Sequence, residues 1–251
     1  MNPLELFGIG LAAGSLGALL GIGGGAILVP GLTLVAGLPL RSAVGASLVC
    51  VVATSVSGSA VYLWKDRVDL DVAVHLQAFT VVGAVAAGLV AASVPPGPLF
   101  IAFATLLAVI AIRMSPWSRG AADRAVLRPP RRRLAAGASV GAGVISGLLG
   151  VGGGVFNVPV LHLLLGMPFK RAVPTSVLML GVTAAAAAAV YLVRGDVDTH
   201  VAGVAMLGTL GGGTLAAAVG GRINQRMLQA LFTVVLLYTA WRMGLRGLDE
   251  F

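Results

Sequence analysis

The sequence predicts an all-α, polytopic membrane protein made of two duplicated and inverted halves, and three observations predict it. Hydrophobic residues are 58% of the chain, charged residues only 10%, and the mean hydropathy is +0.99. A soluble domain carries about 25% charged residues, so this chain could not cover its own surface with polar groups. Apolar stretches of about 20 residues, long enough to cross a bilayer, recur from end to end and leave no soluble domain over. Finally, ALLGIGGGAILVPGL at Ala18–Leu32 returns as GLLGVGGGVFNVPVL at Gly147–Leu161.

The duplication continues without a gap at an offset of about 129 residues. Gly37-Leu38-Pro39 aligns with Gly166-Met167-Pro168, Arg41 with Lys170, Ser47 with Ser176, Thr54 with Thr183 and Tyr62 with Tyr191. Val68-Asp69 aligns with Val197-Asp198, Phe103 with Phe232, and Arg113-Met114 with Arg242-Met243. The chain therefore divides into a first transmembrane repeat over 1–114, an arginine-rich linker over 115–133 and a second repeat over 134–251. About 8 to 10 helical segments are expected, each half holding a broken helix pair and three spanning helices.

Each half opens on a long apolar region, Leu4–Ala36 in the first. As one helix at about 1.5 Å per residue it would reach roughly 50 Å, well beyond the hydrocarbon core of about 30 Å. The triplet Gly23–Gly25, followed by Pro30, disfavours a straight helix, and Gly152–Gly154 with Pro159 does the same in the second half. A helix, a break and a short helix beginning near Ala26 or Val155 fit better. If each pair returns to the side it came from, each half has an odd number of crossings and the two halves are inverted. The spans that follow are Ala43–Leu63, Val72–Ala92 and Pro98–Met114, then Ala172–Val193, His200–Val219 and Met227–Gly244. The start, MNPLELFG, lacks the basic region and cleavage site of a signal peptide, so the first segment is expected to stay in the mature protein.

The net charge of +8 does not point to nucleic acid, because the basic residues sit in loops and are not interleaved with aromatics. The loop Arg113–Arg133 is the richest, holding seven arginines (Arg113, Arg119, Arg124, Arg128, Arg131, Arg132, Arg133) against Asp123 alone. Such a loop belongs in the cytoplasm. In the inverted topology Lys65, Arg67, Lys170, Arg171, Arg222 and Arg226 share its side, while Arg41, Arg194, Arg242 and Arg246 face the other.

The stretch GIGGGAILVP fits a dinucleotide fingerprint at Gly21, Gly23 and Ala26, yet the first carboxylate after it is Asp66, and no Gly-Lys-Ser/Thr follows. Cys50 is the single cysteine, which excludes a disulfide framework and a cysteine-rich metal site. No Ser/His/Asp, Cys/His or paired-carboxylate set lies at a plausible depth, so no enzyme and no cofactor is expected.

A break at membrane depth is tolerated only beside protein or a water-filled cavity. Short helices starting there offer free N–H groups and a positive dipole end to an anion, and glycine lets the anion come close. Substrate contacts are expected from Gly23, Gly24 and Gly25, from Gly152, Gly153 and Gly154, and from the uncharged groups Ser47, Asn157, Thr175 and Ser176. Asn157 and Thr175 face Leu28 and Ala46 in the alignment, so the site should be richer in the second half's polar groups. Gly10, Gly14, Gly17 and Gly21, with Gly143 and Gly147, have the spacing of closely packed membrane helices.

Arg41 and Lys170 could line a vestibule, Asp69 and Asp198 read as N-caps, and Tyr62 and Tyr191 read with Trp64 as interfacial anchors. His162 is the candidate proton carrier with some depth, since no carboxylate lies near mid-membrane. An anion channel would use the same helix N-termini, and saturable flux would separate it from a carrier.

GIGGGAILVP with GLPLRSAVGAS, and GVGGGVFNVP with GMPFKRAVPTS, resemble the sulfite exporter TauE/SafE family of bacterial membrane proteins over nearly the whole chain. The resemblance implies export of a small sulfur-containing anion, sulfite or an organosulfonate, across the inner membrane. The expected partners are that anion and the lipid bilayer, not nucleic acid, and nothing in the sequence speaks against a homo-oligomer.

Overall fold

A computed structural model describes residues 2–90, 101, 104–105, 108–109, 111–112, 132–149, 152–220 and 222–249. Its helices are α1 (Pro3–Leu20), α2 (Gly25–Leu34), α3 (Leu40–Trp64), α4 (Leu70–Val90), α5 (Arg132–Leu149), α6 (Gly154–Pro159), α7 (Phe169–Val193), α8 (Thr199–Gly220) and α9 (Gln225–Asp249). Five of them, α1, α3, α4, α7 and α8, are long and apolar enough to cross a membrane. Most of the span expected at 98–114, and the linker over 115–131, lie outside the described residues.

Both halves open with the expected broken pair. Asn2 caps α1 by accepting the Leu4 N–H at 3.1 Å, and Pro3 pre-sets the first turn. The helix stops where Gly21 turns left-handed at φ 72°, and the amides of Ile22 and Gly23 both close on the Gly17 carbonyl. Gly23 and Gly24 stay left-handed at φ 80° and 81°, a conformation that costs a residue with a Cβ about 1–2 kcal/mol. Gly152 and Gly153 repeat this at φ 75° and 79°, and α6 then starts at Gly154. Pro30 and Pro159 cannot donate within their helices. Beyond Pro30 the Thr33 hydroxyl donates to the Val29 carbonyl at 2.8 Å, whereas beyond Pro159 the chain winds into a π turn at Val160–Leu164.

Each pair is a hairpin that returns to the end it came from. Leu6 early in α1, Leu32 late in α2, Ala43 early in α3 and Val201 early in α8 pack in one cluster. Its counterpart at the other end joins Leu76 of α4, Ala135 of α5, Leu161 after α6 and Ala172 of α7. The central helices cross antiparallel. Gly45 near the start of α3 abuts Asp196 just past α7, and Thr175 early in α7 accepts the N–H of Asp69 just past α3 at 3.0 Å. The halves are therefore inverted, and Lys65, Arg67 and Arg171 share the end at which α5 begins, opposite Arg41 and Arg194.

Packing then mixes the repeats. Gly10 and Gly14 of α1 lie against the backbone of Ala205 and Thr209 in α8, and Gly143 and Gly147 of α5 against Thr80 and Ala84 in α4. These are the close-packing stripes that the spacing predicted. Each bundle is thus assembled from both repeats: α8 joins α1 to α3, and α4 joins α5 to α7.

Matched polar bonds fasten the two bundles. The Tyr62 hydroxyl donates to the Ala18 carbonyl at 3.0 Å and that of Tyr191 to the Gly147 carbonyl at 3.1 Å. Both tyrosines are buried, which corrects their reading as interfacial anchors: they satisfy carbonyls left free where α1 and α5 end. Trp64, at 90% exposure, stays at the surface. Asp69 and Asp198 cap α4 and α8 as expected. Lys65 donates to the Ala218 carbonyl at 2.9 Å and Arg194 to that of Gly88 at 2.7 Å, placing cations on the negative ends of α8 and α4. On α9, Phe232 packs edge-on against Phe169, while Val234, Tyr238, Trp241 and Leu245 form an exposed apolar face suited to lipid.

Candidate functional site

The two glycine breaks meet at the centre of the molecule. Val51 near the middle of α3 and its repeat counterpart Leu180 near the middle of α7 both lie against Gly23 and against Gly152. Gly154 comes so close to the Gly21 carbonyl that no Cβ would fit between them. The N-termini of α2 and α6 converge on this point, and their glycine caps, Gly24 and Gly153, supply no side-chain acceptor. The leading amides of both helices therefore keep donors that no helical carbonyl takes.

The breaks are unequally filled. A Cβ on Gly24 would sit 2.6 Å from the Ala13 carbonyl oxygen, and one on Gly23 would sit 3.0 Å from both Val51 and Leu180. On Gly153 the nearest atom is the Ser146 Cβ at 3.4 Å, an ordinary contact. Gly23 and Gly24 are walled in by protein, and of the second triplet Gly153 has the most room.

The predicted hydroxyls brace the fold. Ser176 donates to the Gly21 carbonyl at 2.8 Å, Thr175 receives the Asp69 amide, and Ser47, the counterpart of Ser176, is fully buried. Asn157 differs. It is 1% exposed, and neither its Nδ2 nor its Oδ1 has a partner. A buried polar group left unmatched costs about 1–3 kcal/mol, so an orphaned amide asks for an explanation. The hydroxyls of Ser146, beside Gly153, and of Ser139 are buried and unpartnered too. Gln77 on α4 donates its Nε2 to Thr183 at 2.9 Å and leaves Oε1 unpartnered.

Repeat symmetry relates these groups. Leu28, the counterpart of Asn157, packs with Ala13, Cys50 and Ala205. The repeat counterparts of those three neighbours are Ala142 of α5, Met179 of α7 and Leu76 of α4. Thr183 donates to the Met179 carbonyl at 3.1 Å, so Gln77 borders the stretch of α7 that holds Met179, the counterpart of Cys50. At the other break, the positions of Ser139, Ser146, Asn157 and Gln77 hold Gly10, Gly17, Leu28 and Met206. Of these four residues Ser146 lies beside Gly153 and Asn157 follows the second break by one turn, and the counterparts of all four at the first break are apolar or lack a side chain.

The sequence reading named Asn157 and missed the other three. Gln77 was visible as a lone amide in an apolar span. Ser139 and Ser146, seven residues apart, share a helix face. His162 is 2% exposed, with Nδ1 2.8 Å from the Met167 carbonyl, its ring edge-on to Phe169, and Nε2 unpartnered. Met167 also lines a cavity of about 490 Å³ with Asp69, Asp71, His75, Leu76 and Arg171, at the end where α5 begins. Arg171, rather than the expected Lys170, reaches this vestibule.

The family model for the sulfite exporter TauE/SafE matches residues 6–243. Three relatives match over almost the full length of both chains. The probable membrane transporter protein YunE of Bacillus subtilis is 23% identical, over 99% of this chain and 99% of its own. YdhB of the same organism, also a probable membrane transporter protein, is 25% identical, over 96% and 97%. A probable membrane transporter protein of Xylella fastidiosa is 28% identical, over 93% and 92%. No solved structure gives a significant match. With a family model covering the chain almost from end to end, and the inverted, glycine-broken helices in place, this protein belongs to the sulfite exporter TauE/SafE family of membrane transporters.

Proposed function

We propose that the protein is a secondary carrier that exports a small sulfur-containing anion, sulfite or an organosulfonate, across a bacterial inner membrane, with the arginine-rich linker in the cytoplasm. The observation that carries this reading is Asn157, an amide 1% exposed, without a partner at either atom, one turn past the Gly152–Gly154 break. Helix amides at the break supply donors and positive potential, and Asn157 with Ser146 supplies uncharged groups that hold an anion without trapping it. Gly153 is the place of closest approach. The first break, packed by Ala13, Val51 and Leu180, forms the wall of the site.

A carrier is favoured over a channel because Val51 and Leu180 close the midplane between the two breaks. Passage then requires the two bundles to rock against each other, with Val51 and Leu180 at the contact. The vestibule lined by Asp69, His75 and Arg171 lies on the linker side, where an exported anion would enter. The test is uptake of radiolabelled sulfite into inside-out proteoliposomes, with taurine, sulfoacetate and sulfate as competitors. Saturable uptake blocked by one competitor supports the carrier and names its class. Non-saturating flux would favour a channel, and no uptake above empty vesicles would remove sulfite as the substrate.

A further inference from the structure

The orphaned atoms of Asn157, Gln77, Ser139 and Ser146 include acceptors as well as donors, which restricts what the proposed site can hold. This inference rests on the anion site proposed above. Asn157 Nδ2 and the hydroxyls of Ser139 and Ser146 can donate, whereas Asn157 Oδ1 and Gln77 Oε1 can only accept. Thr183 Oγ1 faces the Met179 carbonyl at 3.1 Å and the Thr80 hydroxyl at 3.2 Å, both able to take its hydrogen, and in that arrangement Gln77 turns its donating Nε2 to Thr183 and leaves Oε1 over. Asn157 presents one donor and one acceptor whichever way its amide is turned.

A fully deprotonated oxyanion offers acceptors only. It would satisfy the hydroxyls and the helix amides but set its charge against two buried amide oxygens that still lack a hydrogen. We infer that the ligand brings its own donor: a small, singly charged oxyanion with an O–H or N–H, such as hydrogen sulfite, sulfamate or a hydroxysulfonate, not a sulfate-like dianion. With hydrogen sulfite as the ligand, a proton crosses on the substrate itself and the spans need no carboxylate to carry it. Leu28 and Met206 offer no acceptor at the matching places, so the first break makes no such selection.

The experiment is calorimetric titration of the purified full-length protein with hydroxymethanesulfonate and sulfamate, which carry a donor, and with methanesulfonate and sulfate, which do not. The donor-bearing anions should bind at least about fivefold more tightly, the lower bound for one unpaired buried acceptor. Asn157→Leu and Gln77→Met, each installing the residue of the other repeat, should bring the ratio toward one, with folding followed by thermal unfolding. Equal affinity for methanesulfonate and hydroxymethanesulfonate, or a preference that survives in both variants, would overturn the inference while leaving the anion site standing. Binding of none of the four would overturn both.

Discussion

Asn157→Leu should stabilise the protein while weakening its affinity for the anion. In the empty site two buried atoms of one amide have no partner, and at the lower bound of about 1 kcal/mol each they cost about 2 kcal/mol. Leucine carries no such atoms. Its shape is already accommodated at the repeat-related position, where Leu28 is fully buried against Ala13, Cys50 and Ala205. A gain of about 2 kcal/mol in a chain of this size raises the unfolding midpoint by roughly 4–8 °C. The same change removes a donor and an acceptor from the ligand, and loss of about 1.4 kcal/mol or more weakens binding at least tenfold. The assay is thermal unfolding of wild type and variant in the same detergent, with and without anion. Wild type should gain stability with ligand; the variant should start higher and gain less at the same anion concentration. A variant that unfolds earlier than wild type and still responds to the anion would show that Asn157 is an ordinary packed residue.

Gly24→Ala and Gly153→Ala share the left-handed strain of about 1–2 kcal/mol, but only the first drives a Cβ against a backbone carbonyl, at 2.6 Å. Gly24→Ala should therefore lower the folded yield sharply, while Gly153→Ala folds and loses anion binding; equal yields would contradict the packing. Tyr191→Phe and Tyr62→Phe each remove one hydrogen bond to a free helix-end carbonyl and should each cost about 1 kcal/mol. Because the two bonds are repeat-related, their losses should agree, and a marked difference between the two unfolding midpoints would break the symmetry argument. Truncating the central contact in the double variant Val51→Ala, Leu180→Ala should open a leak, seen as non-saturating anion flux in proteoliposomes. Tight vesicles with normal saturable uptake would mean that these side chains do not close the midplane.

Much of this fold was readable from composition and spacing. The duplication at Ala18–Leu32 and Gly147–Leu161 set the two halves, and the length of the opening apolar regions set the breaks, whose short helices begin within a residue of the expected Ala26 and Val155. The inversion followed from that length once the hairpins were seen to return, with Leu6 meeting Leu32 at one end and Ala135 meeting Leu161 at the other. What the linear order concealed is that α4 packs on α5 and α1 on α8. Gln77 belongs to the first repeat in sequence but to the second break in space, and comparison at a fixed offset pairs it with Met206 without showing that it reaches Thr183. Tyr62 and Tyr191 were misread for a related reason. An amphipathic ring near a span end fits an interface or a buried carbonyl equally well, and only the neighbouring end of α1 or α5 decides between them.

The central claim is that two nearly symmetric breaks make a single, one-sided anion site. Saturation binding of radiolabelled sulfite to the purified protein at mildly acidic pH tests it directly, because it counts sites. One anion per chain in wild type, with at least about tenfold weaker affinity in Asn157→Leu, is the predicted result. Two equivalent anions per chain, or undiminished binding in the variant, would contradict it.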